Sequence, residues 1–338
     1  MWRGTGRTRS ELAGMDWKSY YRAELLSPEG RRYIANLFAR YPRGEPQLER
    51  ILERGGIVSF PHTSIYYAGD SLARLVTTLY KLRPGKVVAL GVLHGGALPE
   101  PYQALYRGLS TNEIHVPRAE ELFAIFRGAF VKTAPLETPF GHLLACPTEG
   151  LLGDVVREAE ELLSGEFSLD AFFSLLALHA AERRVEPIPV LPLFVSLTRD
   201  PRGSFEVASE IAQWLSGVVD ARTALVATGD LVHYGNGYSS PKEMEGKPRD
   251  PANLESFFLR RVRHSLDLAL RERDYAGFFA ICAELKSDQR QIVPVIGEYL
   301  GAGASYEILR FELSDYSRIL AVPPPCVVAS ALVGFSAG

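Results

Sequence analysis

Cysteine is scarce. Cys146, Cys282 and Cys326 are the only three in 338 residues, and no two form a CxxC pair. An odd, widely spaced set does not build a disulfide scaffold, so a reducing, cytoplasmic setting is expected. An excess of one charge sign is also missing. The net charge is -3 and the pI about 6.2, which leaves no basic face for nucleic acid or for an anionic membrane surface. No apolar run approaches the roughly 20 residues of a spanning helix; Val327 to Phe335 is only of strand length. Met1 to Gly14 is polar and basic with no apolar segment, so it reads as a loose end rather than a secretory signal. There is no P-loop, no GxGxxG after a strand and no GxSxG elbow, which argues against nucleotide binding and serine hydrolysis. Internal repeats and low-complexity segments are absent too.

The chain is 46% hydrophobic, enough to bury a large core. A partly helical N-terminal extension is expected over residues 1–45 and a single domain over 46–338. The apolar pattern from Trp17 to Arg54 is helical with a break at Pro42. Ile57 to Phe60 reads as a strand, Asp70 to Leu82 as a helix ended by Pro84-Gly85, and Lys86 to Leu93 as the next strand. This βαβ unit predicts two parallel, neighbouring strands. Helices are also expected over Arg118–Arg127, Glu149–Leu163, Leu169–Arg183, Phe205–Val218, Asn253–Arg273 and Tyr275–Leu285. Strands are expected at Pro187–Val195, Arg222–Ala227, Tyr306–Leu313 and Val327–Phe335. Strands alternating with helices predict an α/β fold with a mostly parallel sheet.

Three strand-like runs end at or near a histidine: His62 after Ile57–Phe60, His94 after Val87–Leu93, and His233 after Ala224–Thr228 with Asp230 between. In open α/β sheets ligands bind beyond the carboxyl ends of the strands, and imidazole is both a common metal ligand and a neutral-pH acid or base. Each histidine also has an ordinary reading. His62 could bond its own loop, His94-Gly95-Gly96 could be a simple turn, and Asp230 could be a helix cap. His115, His142, His179 and His264 read as structural.

These same residues carry a resemblance. Pro61-His62 with Tyr67-Ala68-Gly69 resembles the Pro-His-Ala-Gly-Tyr-x-Tyr-Ser-Gly signature of the Memo-like family (AmmeMemoRadiSam system protein B). Leu90-Gly91-Val92-Leu93-His94 resembles its Leu-Gly-Pro-x-His. Glu137-Thr138-Pro139-Phe140-Gly141 is similar to its Thr-Pro-Leu-Gly, and Pro187-Ile188-Pro189-Val190-Leu191 to its Ile-Ile-Pro-Val-Leu. Thr228 to Gly235 is similar to its Ser-Ser-Asp-x-x-His-x-Gly. The order matches from about Arg32 onward. The resemblance implies a three-layer α/β fold, with a mostly parallel central sheet flanked by helices, related to the class III extradiol dioxygenases of LigB type. It also implies a metal at His62 and His94, with His233 as acid/base and Asp230 orienting it. Where the family has a thiolate, in Cys-Gly-Arg-x-Pro-Ile, this chain has Ser287-Asp288-Gln289-Arg290-Gln291-Ile292, which puts Asp288 at the third ligand position; Glu284 is the alternative carboxylate.

The chain departs from the family in other places. Gly95 replaces a second histidine after His94, Phe167 replaces the histidine of Glu-His-Ser-x-Glu, and the segment from His94 to Thr138 is longer. Two histidines and one carboxylate form the ligand set of Fe(II) oxygen chemistry. The expected activity is therefore a non-haem Fe(II) oxygenase acting with O2 on a small chelating substrate, with copper or zinc as other metals. Tyr66, Tyr67 and Tyr234 are candidates for the substrate wall. The alternatives are a Memo-like protein that binds metal or phosphopeptide without turnover, and a zinc hydrolase. No nucleic-acid or membrane partner is expected, and a homo-oligomer is allowed.

Overall fold

The computed structural model describes residues 15–111, 119–133, 135–148 and 150–338. The N-terminal stretch to Gly14, His115, and the first residues of two expected helices, Arg118 and Glu149, lie outside these.

The strands in chain order are β1 (Ile57–Phe60), β2 (Lys86–Val92), β3 (Ala129–Val131), β4 (Leu136–Thr138), β5 (Gly141–Leu143), β6 (Val156–Glu158), β7 (Val190–Val195), β8 (Thr223–Thr228), β9 (His233–Gly235), β10 (Ser305–Asp315) and β11 (Cys326–Ser336). The main sheet runs β10-β11-β1-β8-β2-β7-β3-β6, with β9 pairing β11; β4 and β5 form a separate hairpin. Its centre, β1-β8-β2-β7, is parallel, and antiparallel pairings attach β11 to β1 and β3 to β7. The central strands are buried along nearly their whole length, as an apolar run without alternation requires when both faces are covered.

The path of the chain explains the helix layers. From β1 through helix Ile65–Leu82 to β2 the chain moves one way along the sheet; from β7 through helix Glu206–Val218 to β8 it moves back. Right-handed crossovers in opposite directions place their helices on opposite faces. Ile65–Leu82 packs with Pro28–Arg40 and Asp170–Arg183, and Glu206–Val218 packs with Ile292–Leu300. The result is the expected α/β fold of a helix-flanked sheet.

Three expectations are corrected. First, β1 and β2 are not neighbours. β8 lies between them, with Phe60 opposite Thr228 and Leu90 opposite Ala227. A βαβ pattern fixes handedness but not whether a later strand is inserted. Second, Glu149–Leu163 does not form a helix. Gly150 takes a positive φ of 75°, and Val156–Glu158 pairs with β3 instead. That pairing needs Gly128, where a Cβ would lie 2.1 Å from the Val155 carbonyl oxygen. Third, residues 15–45, the described part of the stretch expected as an N-terminal extension, pack into the common core through Leu25, Ile34, Leu37 and Phe38. Among the described residues no helix is long and apolar enough to cross a membrane.

His179 has the structural role expected of it. Its ring lies between Phe38 and Tyr80, with centroids 4.8 and 4.9 Å away, and its buried Nδ1 has no partner. Burial, assisted by Arg183, lowers its pKa from 6.5 to about 4. The unfolded chain therefore takes up this proton first, and stability falls as pH drops from 6.5 towards 4. His179→Leu is expected to flatten that part of the pH dependence, which urea midpoints at pH 5 and pH 7 would reveal.

Candidate metal centre

Three adjacent strand ends deliver the site. His62, Asp230 and His94 each sit two residues beyond β1, β8 and β2 respectively, at the crevice where ligands of open α/β sheets bind. His233 opens β9, which is anchored on β11. Asp288 starts a short 3-10 turn after helix Tyr275–Leu285, and several bonds pin it over the strand ends. Its backbone N–H donates to the Asp230 carbonyl at 2.9 Å, and the Gln289 side-chain amide donates to the Gly229 carbonyl at 3.0 Å and to Ser59. The approach is so close that a Cβ at Gly229 would stand 2.4 Å from Gln289 Cγ.

Each histidine has its Nδ1 held by an acceptor. The Thr228 hydroxyl donates to the Phe60 carbonyl at 2.9 Å, so its oxygen accepts from His62 Nδ1–H at 3.2 Å. Glu166 accepts from His94 Nδ1–H at 3.0 Å, and the Lys286 carbonyl accepts from His233 Nδ1–H at 2.8 Å. Such partners fix the tautomer that leaves Nε2 free as a ligand. All three Nε2 atoms face one carboxylate oxygen, Asp288 Oδ2, at 3.3 Å (His62), 3.8 Å (His94) and 3.7 Å (His233).

The electrostatics match this convergence. Burial would lower the His94 pKa, but Glu166 and Asp288 push it well above 6.5. Burial would raise Glu166, but the facing His94 and the backbone N–H groups of His94 and Ser168 bring it down to about 2. Asp288, despite burial, is held well below the usual carboxylate range by His233, His62 and His94. Asp230 goes the other way, because burial outweighs the attraction of His62 and His233.

A metal ion fits these residues. Asp288 Oδ2 and Asp230 Oδ1 are buried with no hydrogen-bond partner, an arrangement that costs free energy unless a cation is present. The donors fall into two groups sharing Asp288, His62–His94–Asp288 and Asp230–His233–Asp288, with the ligand atoms of each within 4.8 Å of one another. Ligands about 2.1 Å from one ion stand roughly 3.0–3.4 Å apart at ordinary coordination angles; His62 Nε2 already meets this at 3.3 Å from Asp288 Oδ2, and His94 Nε2, at 3.8 Å, must draw closer. Imidazole nitrogen with carboxylate oxygen suits Fe(II), zinc and related ions.

The site lines a cavity of about 550 Å³. Phe167 stacks nearly parallel on His94, at 4.5 Å and 11°. Phe167 therefore holds the His94 imidazole face to face and fixes the plane of its ring. Tyr21, Tyr238, Tyr316 and Trp17 form other parts of the wall.

Several expected roles change. Tyr67 is not part of the wall; it donates to the Asp315 carbonyl at 2.8 Å and packs behind Tyr316. Tyr234 packs on Phe258 and borders a different cavity. Tyr66 is exposed at the surface. Glu284 pairs with Arg261 at the surface, whereas Asp288 faces the imidazoles. Asp230 does not hold His233 Nδ1, since the Lys286 carbonyl does; Asp230 Oδ2 instead faces His62 Nε2 at 3.7 Å. Glu166 was visible in the sequence only as the neighbour of Phe167, and Lys286 acts through a backbone atom that no side-chain pattern marks.

Glu166 accepts from four donors: His94 Nδ1, and the backbone N–H groups of His94, Phe167 and Ser168. Glu166→Gln puts an amide N–H against one of them and loosens the His94 tautomer. Metal affinity is expected to fall about 10- to 100-fold, the usual cost of losing a partner behind a ligand. Calorimetric titration of the metal-free variant measures this.

No protein-family model matches the chain, and no curated protein matches it. Among solved structures it is similar to the crystal structure of an uncharacterized protein, JW3007, from Escherichia coli K12. The identity is 14%, the TM-score 0.44, and the match covers 83% of this chain and 99% of that one.

Proposed function

We propose that the chain is a metal-dependent oxygenase holding Fe(II) through His62, His94 and Asp288 and acting with O2 on a small chelating substrate. The observation that carries this reading is Asp288 Oδ2, buried without a hydrogen bond and faced by imidazole Nε2 atoms in the wall of a cavity. Two histidines and one carboxylate with open positions form the ligand set of non-haem Fe(II) oxygenases. When bound, the iron supplies a centre that holds O2 and substrate together. The Memo-like motif order points the same way, as do the strand ends that place these residues.

The protein's own groups do the rest. The Gly95-Gly96 backbone leaves room for substrate beside His94, and Phe167, Tyr21 and Tyr238 give a flat apolar body surfaces to pack on. His233, with Nδ1–H held by the Lys286 carbonyl, keeps Nε2 free to accept a proton from a substrate hydroxyl and return it later. The test is anaerobic purification with elemental analysis, then an O2 electrode with chelating substrates. Iron with substrate-dependent O2 uptake supports the proposal. Bound metal without O2 uptake favours a Memo-like binding protein, and turnover that ignores O2 favours zinc hydrolysis.

A further inference from the structure

The second donor group, Asp230–His233–Asp288, is not needed to hold one ion at His62–His94–Asp288. We propose that it is a second divalent-cation site, joined to the first through Asp288, so that the crevice takes two cations side by side. This deepens the metal reading given above and rests on it.

Asp230 is 3% exposed, and its Oδ1 has no hydrogen-bond partner. A carboxylate buried this deeply is costly to leave unpaired, and its nearest imidazole does not remove the cost. His62 Nε2, at 3.7 Å from Oδ2, lies beyond hydrogen-bond distance and is committed to the first group. His233 offers the complementary atom. The Lys286 carbonyl holds its Nδ1–H, and its Nε2 is directed at Asp288 Oδ2. That oxygen also faces His62 Nε2 and His94 Nε2, so a single atom lies between the two sets of donors, as in a carboxylate bridge.

The charges agree. Glu166, Asp230 and Asp288 put three carboxylates around three imidazoles. Metal binding takes carboxylates ionised and imidazoles neutral; one dication then leaves the site negative and a second turns it positive, ready for an anionic substrate. The second site and the acid/base role both use His233 Nε2 and exclude each other, so a cation there silences proton transfer.

The experiment titrates metal-free, full-length protein with Zn(II) by calorimetry and confirms the bound zinc by elemental analysis after gel filtration. Wild type is expected to bind two equivalents. Asp230→Asn and His233→Gln are each expected to bind one, and Asp288→Asn none, with circular dichroism confirming that each variant is folded. One equivalent in wild type overturns the second site and leaves the first standing. No bound zinc overturns both. A second equivalent that survives in both Asp230→Asn and His233→Gln, or any that survives in Asp288→Asn, assigns the ion to other residues and also overturns the second site.

Discussion

Asp288→Ala is expected to strip the protein of tightly bound metal, with affinity falling by more than the roughly 100-fold that losing an outer partner costs. All three imidazole Nε2 atoms face its Oδ2, so no other single side chain touches as much of the site. The fold should survive. The backbone N–H of residue 288 still donates to Asp230, and Gln289 still ties the turn to Gly229. His94→Ala is expected to act in the same way by removing one nitrogen ligand. Elemental analysis of anaerobically purified variants, alongside thermal melts, separates metal loss from unfolding. Metal content equal to wild type in either variant would contradict the ligand assignment.

His233→Ala is expected to keep the ion at His62–His94–Asp288 and lose turnover by about 10²- to 10⁴-fold, the usual contribution of a positioned acid or base. The separation rests on geometry. His233 is held by the Lys286 carbonyl and lies in the other donor group, so its loss leaves the first three ligands in place. O2 uptake is measured with any substrate that wild type consumes, and zinc or iron content is measured on the same sample. If the first equivalent of metal disappears with His233, the histidine belongs to the primary ligand set and its role as proton carrier falls. If turnover persists, another group moves the proton.

Much of this site could be read from the sequence because its chemistry sits at strand ends. Ile57–Phe60 and Lys86–Val92 are short apolar runs whose strand character is local, and the histidines that follow them are placed by the chain itself. What the sequence hid was long-range. The insertion of β8 between β1 and β2 depends on pairings more than a hundred residues apart, and it is this insertion that puts the strand end carrying Asp230 between those carrying His62 and His94. The wall tyrosines escape the sequence for the same reason. Tyr67 is near His62 in sequence but faces Asp315, whereas Tyr21 and Tyr316 come from opposite ends of the chain. The Leu151–Leu162 pattern looked helical because apolar residues spaced for a helix also suit a turn-rich segment laid on a sheet edge, as Val156 beside β3 does. Asp288 carries no mark of its own in the sequence, since an aspartate after a helix is an ordinary cap.

The most direct measurement is a crystal structure of the metal-loaded protein with anomalous scattering at the metal edge. The account predicts a peak in the crevice about 2.0–2.2 Å from His62 Nε2, His94 Nε2 and Asp288 Oδ2. A loaded crystal with no peak there, or with its metal held by other residues, would contradict it.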